Sequence, residues 1–105
     1  MRSGLIVSAQ GRAIGQVDLA MFLAKNGEIQ EALDLLDKAE KNDASYEPLY
    51  IERGNILMQV ATAKGLPEAR WKPLACAEFQ KAFVLNSNDP SAAKGLRVLG
   101  CAPPR

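Results

Sequence analysis

The sequence repeats part of itself at a spacing near 34 residues. The matching residues of the first helix in each repeat are Leu19, Ala20 and Leu23, and then Arg53, Gly54 and Leu57. The matching residues of the second helix are Ala32, Leu36 and Ala39, and then Ala75, Phe79 and Ala82. A period near 34 residues is typical of stacked helical hairpins, which bury one another because a single hairpin is too thin to bury its own apolar face. The repeat therefore predicts an all-α fold of antiparallel helical hairpins stacked as a short α-solenoid.

Apolar residues at helical spacing predict five helices, over about residues 15–26, 29–41, 47–63, 73–86 and 90–99. Gly27 ends the first of these helices, and Asp89 followed by Pro90 starts the last. The offset between matching residues grows from 34 in the first helices to 43 in the second ones. This difference predicts a looped-out insertion near residues 64–72, closed by Trp71, after which Pro73 opens the fourth helix.

The predicted organisation is one domain over residues 1–105. Its parts are an N-terminal segment over 1–11, a first repeat over 12–45, a second repeat over 46–89, a closing helix over 90–100 and a tail over 101–105. Leu5-Ile6-Val7 is too short an apolar stretch for the core of a secretion signal, so the N-terminal segment is interpreted as mature chain.

With this spacing the chain resembles the tetratricopeptide repeat family over about residues 16–99. Small residues stand where that family places them, at Ala20 and Gly54, and larger ones follow three positions later. Three positions depart from the pattern, because Gln16 replaces an aromatic residue, Arg53 replaces a leucine and Arg97 stands where a small residue is expected. Small residues matter physically because they let two helix backbones approach closely.

The resemblance implies a concave groove that binds a peptide or another subunit, so that the chain acts as an adaptor or scaffold. Projected onto this sequence, the groove residues are Val17, Met21, Ala24, Lys25, Ile51, Asn55, Met58 and Gln59. Methionine side chains adapt to irregular apolar partners, which favours an aliphatic or amphipathic segment. An alternative is that residues 5–10 of the chain itself fill the groove. Binding of a chaperone's carboxylate tail is disfavoured, because Val17, Met21 and Glu52 stand where that subgroup of the family has its binding residues.

The composition argues against catalysis. The chain contains no histidine, which is the commonest general base at neutral pH. Cys76 on an apolar helix face is interpreted as a packing residue, whereas Cys101 either packs or, if exposed, cross-links. Neither cysteine has a second ligand at metal-binding spacing, so no metal, cofactor or enzymatic activity is predicted.

The charge is unevenly distributed although the net charge is only +1. Residues 1–63 carry six Lys/Arg against nine Asp/Glu, and residues 64–105 carry seven against three. This asymmetry favours a homodimer as the alternative function, with an acidic first hairpin facing a basic second half. An RNA-binding surface is a more distant alternative. Its residues would be Arg70, Trp71, Lys72, Lys81, Phe83, Lys94 and Arg97. No stretch is long enough to span a membrane, and few cysteines predict a cytoplasmic location.

Overall fold

A computed structural model describes residues 8–102 and shows an all-helical chain, with no strand among these residues. The helices are α1 (Ala9–Lys25), α2 (Ile29–Asn42), α3 (Pro48–Lys64), α4 (Glu68–Leu85) and α5 (Pro90–Leu99). They belong to two compact units, the first ending at Leu49 and the second beginning at Tyr50. The predicted all-α class is confirmed, while the prediction for residues 1–7 and 103–105 lies outside the described residues.

The first helix begins six residues earlier than predicted. Ser8 is its N-cap, and the Ser8 hydroxyl oxygen accepts a hydrogen bond from the backbone N–H of Gly11 at 3.0 Å. Glycines at positions 11 and 15 weaken the local helix propensity, which is why the sequence pattern placed the start too late. Burial decides the outcome, because Ala13 is fully buried and extends the buried side of α1 by one turn.

Small residues lie where α1 and α2 pack against each other in the first unit. Ala20 of α1 and Ala32 of α2 are both fully buried, as the repeat predicted. Gln16 also has a role in this unit that its departure from the family pattern did not reveal. Its side-chain oxygen accepts a hydrogen bond from the Asn42 amide at 2.8 Å and so ties α1 to the last residue of α2.

Most helix ends lie where the sequence placed them. Gly27, Gly65 and Gly100 each have positive φ, between 63° and 83°, immediately after a helix. Asp89 caps α5 by accepting a hydrogen bond from the N–H of Ser91 at 2.8 Å, with Pro90 in the first helical turn. These ends are predictable because capping depends on residues that are adjacent in sequence.

The predicted loop over residues 64–72 is wrong, since only residues 65–67 separate α3 from α4. Pro67 is the N-cap of α4, and Pro73 lies inside the helix rather than at its start. The first turns of α4 are held by Trp71, whose indole N–H donates to the Leu66 carbonyl at 3.2 Å. Trp71 therefore holds the three-residue connection between α3 and α4, whereas the prediction had it close a longer loop. The nine extra residues of the second repeat lengthen the C-terminal end of α3 and the N-terminal end of α4.

The core of the second unit is built around Phe79 of α4, which is 1% exposed. Gly54 of α3 and Gly95 of α5 both approach its ring. A Cβ atom added to Gly54 would lie 2.8 Å from the ring, and one added to Gly95 would lie 2.5 Å from it. Both separations are shorter than van der Waals contact, so the two glycines allow α3 and α5 to pack on the same aromatic ring.

The arginine that departs from the family pattern has a partner in α4. The guanidinium of Arg53 forms an ion pair with Glu78 at 3.2 Å, and both side chains are largely buried, with exposures of 12% and 13%. Arg53 also lies over the Tyr50 ring, 5.9 Å from its centroid. A leucine at position 53 would leave the buried carboxylate of Glu78 without a cation. The ion pair therefore accounts for the arginine at this position.

Replacing either glycine that contacts Phe79 with alanine should destabilise the protein. In an open helix, glycine to alanine raises stability by up to about 1 kcal/mol. At Gly54 and Gly95 overpacking against a buried ring reverses the sign, and we expect a loss of about 1 to 3 kcal/mol in the free energy of unfolding. Urea denaturation followed by circular dichroism measures this change.

Gly15 in α1 is the matched control, because no atom lies within 4 Å of an added Cβ there. Gly15→Ala should be stabilising. If Gly95→Ala raised the stability as much as Gly15→Ala, the close approach of α5 to Phe79 would be contradicted.

The stability of the first unit should depend on pH through Tyr46. Burial raises the pKa of the Tyr46 phenol, and the negative charges of Asp18 and Glu47 raise it further. A raised folded-state pKa means that the stabilisation is complete below the ordinary value of about 10 and is lost as the pH rises through the folded-state pKa. Tyr46→Phe should therefore lose less stability than the wild type at strongly alkaline pH. Denaturant titrations at pH values below and above the folded-state pKa measure the free energy of unfolding of both proteins. The same pH dependence in the two proteins would refute this prediction.

Candidate functional site

A groove in the second unit lies between one face of α3 and one face of α5. From α3 it is lined by Ile51, Asn55 and Met58, which are spaced four and three residues apart and so share a helix face. From α5 it is lined by Ser91, Lys94, Gly95 and Val98, which share a face for the same reason. We call this feature the α3/α5 groove.

The α3/α5 groove is mainly apolar and has a basic edge. Ile51 and Met58 are half-buried, and Val98 is 61% exposed, so the groove offers aliphatic surface to a ligand. Lys94 is exposed and is the charged residue of the lining, which contains no carboxylate. The groove has a volume of about 290 Å³. That is near the lower end of ligand pockets, which begin at about 300 Å³, and suits one or two side chains.

Two contacts hold the C-terminal end of α5 against α4. Cys76 of α4 and Cys101 form a disulfide across 25 residues of sequence, with their Cα atoms 5.9 Å apart. The Gln80 amide donates a hydrogen bond to the Ala102 carbonyl at 2.9 Å. The interpretation of Cys76 as a packing thiol is therefore incomplete, and Cys101 bonds within the chain. Sequence reasoning missed this pair because only the turn between α4 and α5 brings the two positions together.

The predicted groove residues of α3 fall into two groups. Ile51, Asn55 and Met58 meet at the α3/α5 groove. Gln59 is exposed on α3 but does not line the groove. The α5 face was not among the predicted groove residues. Its signal in the sequence was the seven-residue spacing from Ser91 to Val98, which matches the spacing from Ile51 to Met58.

The predicted groove residues of α1 differ in exposure. Val17 is 1% exposed and Ala24 is 5% exposed, so neither offers a partner much surface in this chain alone. Met21 is 40% exposed, and Lys25 is also exposed. Their predicted role in partner binding stays a prediction.

The aromatic residues of the predicted RNA-binding surface pack against the core. Trp71 and Phe83 are half-buried and pack against the cluster formed by Ala75, Phe79 and Leu96. Lys72 forms an ion pair with Glu68 at 3.2 Å. A stacking platform for bases would need more ring area open to a ligand than these two side chains present.

Residues 8–102 contain neither a cluster of potential metal ligands nor a membrane span. In this range no three histidine, cysteine or acidic side chains converge as metal ligands would. None of the helices in this range has the length and hydropathy needed to cross a membrane.

Comparisons of the chain with protein-family models, curated proteins and solved structures gave no match. The indication of function therefore comes from the α3/α5 groove and from the contacts that hold its two walls.

Breaking the disulfide should destabilise the second unit. The bond closes a loop of 25 residues, and the loss of chain entropy in the unfolded state gives an expected stabilisation of about 3 kcal/mol. Cys76→Ser combined with Cys101→Ser should lower the free energy of unfolding by about this amount. Chemical denaturation with and without dithiothreitol measures it, and the double variant should be insensitive to the reductant. Equal stability of the oxidised wild type and the double variant would contradict this prediction.

Proposed function

We propose that this chain is a non-enzymatic adaptor of the tetratricopeptide type, which binds a short peptide segment of a partner protein in the α3/α5 groove. The observation that carries the proposal is the pairing of two helix faces, Ile51 to Met58 and Ser91 to Val98, around one apolar groove. A groove between two helices presents side chains from both walls to a single ligand. This arrangement is typical of peptide recognition by helical domains.

The apolar part of the groove favours an aliphatic side chain of the partner. Ile51 and Val98 are branched and stiff, whereas Met58 is flexible and polarizable and can adapt to the shape of the ligand. Asn55 supplies an amide group that can donate to or accept from a peptide backbone. The volume of about 290 Å³ favours a short segment over a bulky cofactor.

Lys94 favours a carboxylate beside that aliphatic side chain. It lies on the groove edge, and no carboxylate lines the groove beside it. The sequence analysis placed one cation, Lys25 of α1, and a nearby glutamate, Glu52, at the predicted groove. The contribution of α5 adds a second cation, Lys94, which lines the groove itself. We therefore propose a partner segment with an aliphatic residue next to Asp or Glu.

The cytoplasmic location is also part of the proposal, and it has a chemical consequence. Thiol reductants in the cytosol keep most protein cysteines reduced, so Cys76 and Cys101 would be thiols there. The Cys76–Cys101 disulfide is the form of this pair that would persist in an oxidising compartment. The redox state of this pair in protein isolated under thiol-trapping conditions distinguishes the two locations.

Met58→Glu should abolish peptide binding without unfolding the domain. The substitution places a carboxylate inside the apolar groove, where it repels an acidic ligand and loses the methionine contact. The probe is a panel of labelled synthetic peptides in which Leu, Ile or Met is flanked by Glu, with Lys-flanked peptides for comparison. Fluorescence anisotropy should show that wild-type protein prefers the Glu-flanked set, and Met58→Glu should weaken binding at least about tenfold.

Gln59→Glu is the matched control, since it adds the same charge to the adjacent exposed residue outside the groove lining. It should bind as the wild type does. Equal binding by the Met58→Glu and wild-type proteins, or no binding of any peptide by the wild type, would count against the α3/α5 groove.

A further inference from the structure

One face of α4 is both apolar and basic, and it is open to solvent. Four of its members lie four, eleven, fourteen and fifteen residues after the first one and so follow one side of the helix. They are Arg70, Leu74, Lys81, Val84 and Leu85. Leu74 is 58% exposed, Val84 is 70% exposed and Leu85 is 42% exposed. We call this face the α4 stripe.

The α4 stripe carries positive charge without a neutralising carboxylate. The acidic residues of α4 are Glu68, whose carboxylate pairs with Lys72, and Glu78, whose carboxylate pairs with Arg53 of α3. Lys81 lies over the Tyr50 ring, 5.6 Å from its centroid, a contact that leaves its charge in place. Exposed aliphatic groups between unneutralised cations form a surface that suits an apolar partner with an acidic rim.

The first unit contains such a surface between α1 and α2. Its floor is aliphatic and its rim is charged, and the volume is about 400 Å³. The lining residues are Leu19, Leu23, Glu31, Asp34, Leu35 and Lys38. Leu19 is 48% exposed, while Leu23 and Leu35 are half-buried. We call this feature the α1/α2 groove.

The two surfaces match in charge and in length. The described residues of the first unit, 8–49, carry four Lys/Arg against eight Asp/Glu, a net charge of −4. Residues 50–102 carry seven Lys/Arg against four Asp/Glu, a net charge of +3. The α2 residues of the groove, from Glu31 to Lys38, span about 10 Å at 1.5 Å per residue, which is the length of the α4 stripe from Leu74 to Lys81.

We propose that the α4 stripe of one molecule docks into the α1/α2 groove of a second copy of the same chain. A third helix laid across a helical hairpin buries the apolar floor that the hairpin cannot bury alone. Leu74 then contacts the leucine floor and Lys81 faces Glu31 and Asp34, while Arg70 and Val84 extend the contact by about one turn at either end. Both surfaces are exposed in the single chain, so a second copy finds them available.

The contact is heterologous, because the stripe and the groove are different patches of the surface. Association therefore increases with protein concentration and weakens as salt screens the charged rim. Neither surface includes a residue of the α3/α5 groove. Self-association and peptide binding can consequently fail independently of each other.

The test uses charge-reversed variants of the full chain, studied by analytical ultracentrifugation from low to high micromolar protein. The stripe variant is Arg70→Glu with Lys81→Glu, and the groove variant is Glu31→Lys with Asp34→Lys. All four positions are exposed, and circular dichroism verifies that each variant is folded. Wild-type protein should self-associate at low ionic strength, and each variant alone should associate at least about tenfold more weakly.

Mixing the two variants should restore association, because the acidic stripe of one then meets the basic groove of the other. Lys64→Glu with Arg97→Glu is the matched control, since both residues are exposed and lie outside the two surfaces. This control should associate as the wild type does. Val84→Asp tests the apolar part of the stripe in the same assay, and it should weaken association without any change to the groove.

Two results would overturn the proposal. The first is a wild-type protein that stays monomeric at every concentration, whether or not its α4 stripe then binds vesicles of anionic lipid. The second is a mixture of the stripe and groove variants that associates no more strongly than either variant alone.

Discussion

The contact of Phe79 with two glycines determines how the second unit is built. The ring belongs to α4, and Gly54 and Gly95 let α3 and α5 approach it closely enough that no side chain could intervene. The same approach creates the α3/α5 groove. Gly95 is both a contact of the ring and part of the groove lining, so a side chain at this position would disturb the core and the candidate site together.

An ion pair and a disulfide connect neighbouring helices of the second unit. The Arg53–Glu78 ion pair joins α3 to α4 beside the core, and the Cys76–Cys101 disulfide joins α4 to the residue after the C-cap of α5. A largely buried ion pair contributes little net stability but strongly disfavours packing that separates its members. The disulfide limits the freedom of α5 in the unfolded chain. Together they restrict the position of the helix that forms one wall of the groove.

The fold was predictable where the signal is local or strictly periodic. The start of α5 at Asp89-Pro90 and the stop at Gly27 depend on neighbouring residues, and they occur where expected. The burial of Ala20, Ala32, Gly54 and Ala75 follows from the repeat. The predicted start of α1 and the predicted helix start at Pro73 were wrong, because packing prevailed over local helix propensity. The turn of helix around Ala13 is stabilised by burial, and α4 accommodates an interior proline because its first turns are held by Trp71.

By itself, the sequence determined that this chain is helical, where most of its helices end, and which face of α3 carries Ile51, Asn55 and Met58. Helical periodicity and capping chemistry suffice for these features because each involves residues less than three turns apart. Only the tertiary structure decided that α5 forms the opposite wall, that Lys94 gives the groove a positive edge, and that Cys76 meets Cys101. These features join residues 25 or more positions apart, and their proximity depends on how the helices pack around Phe79.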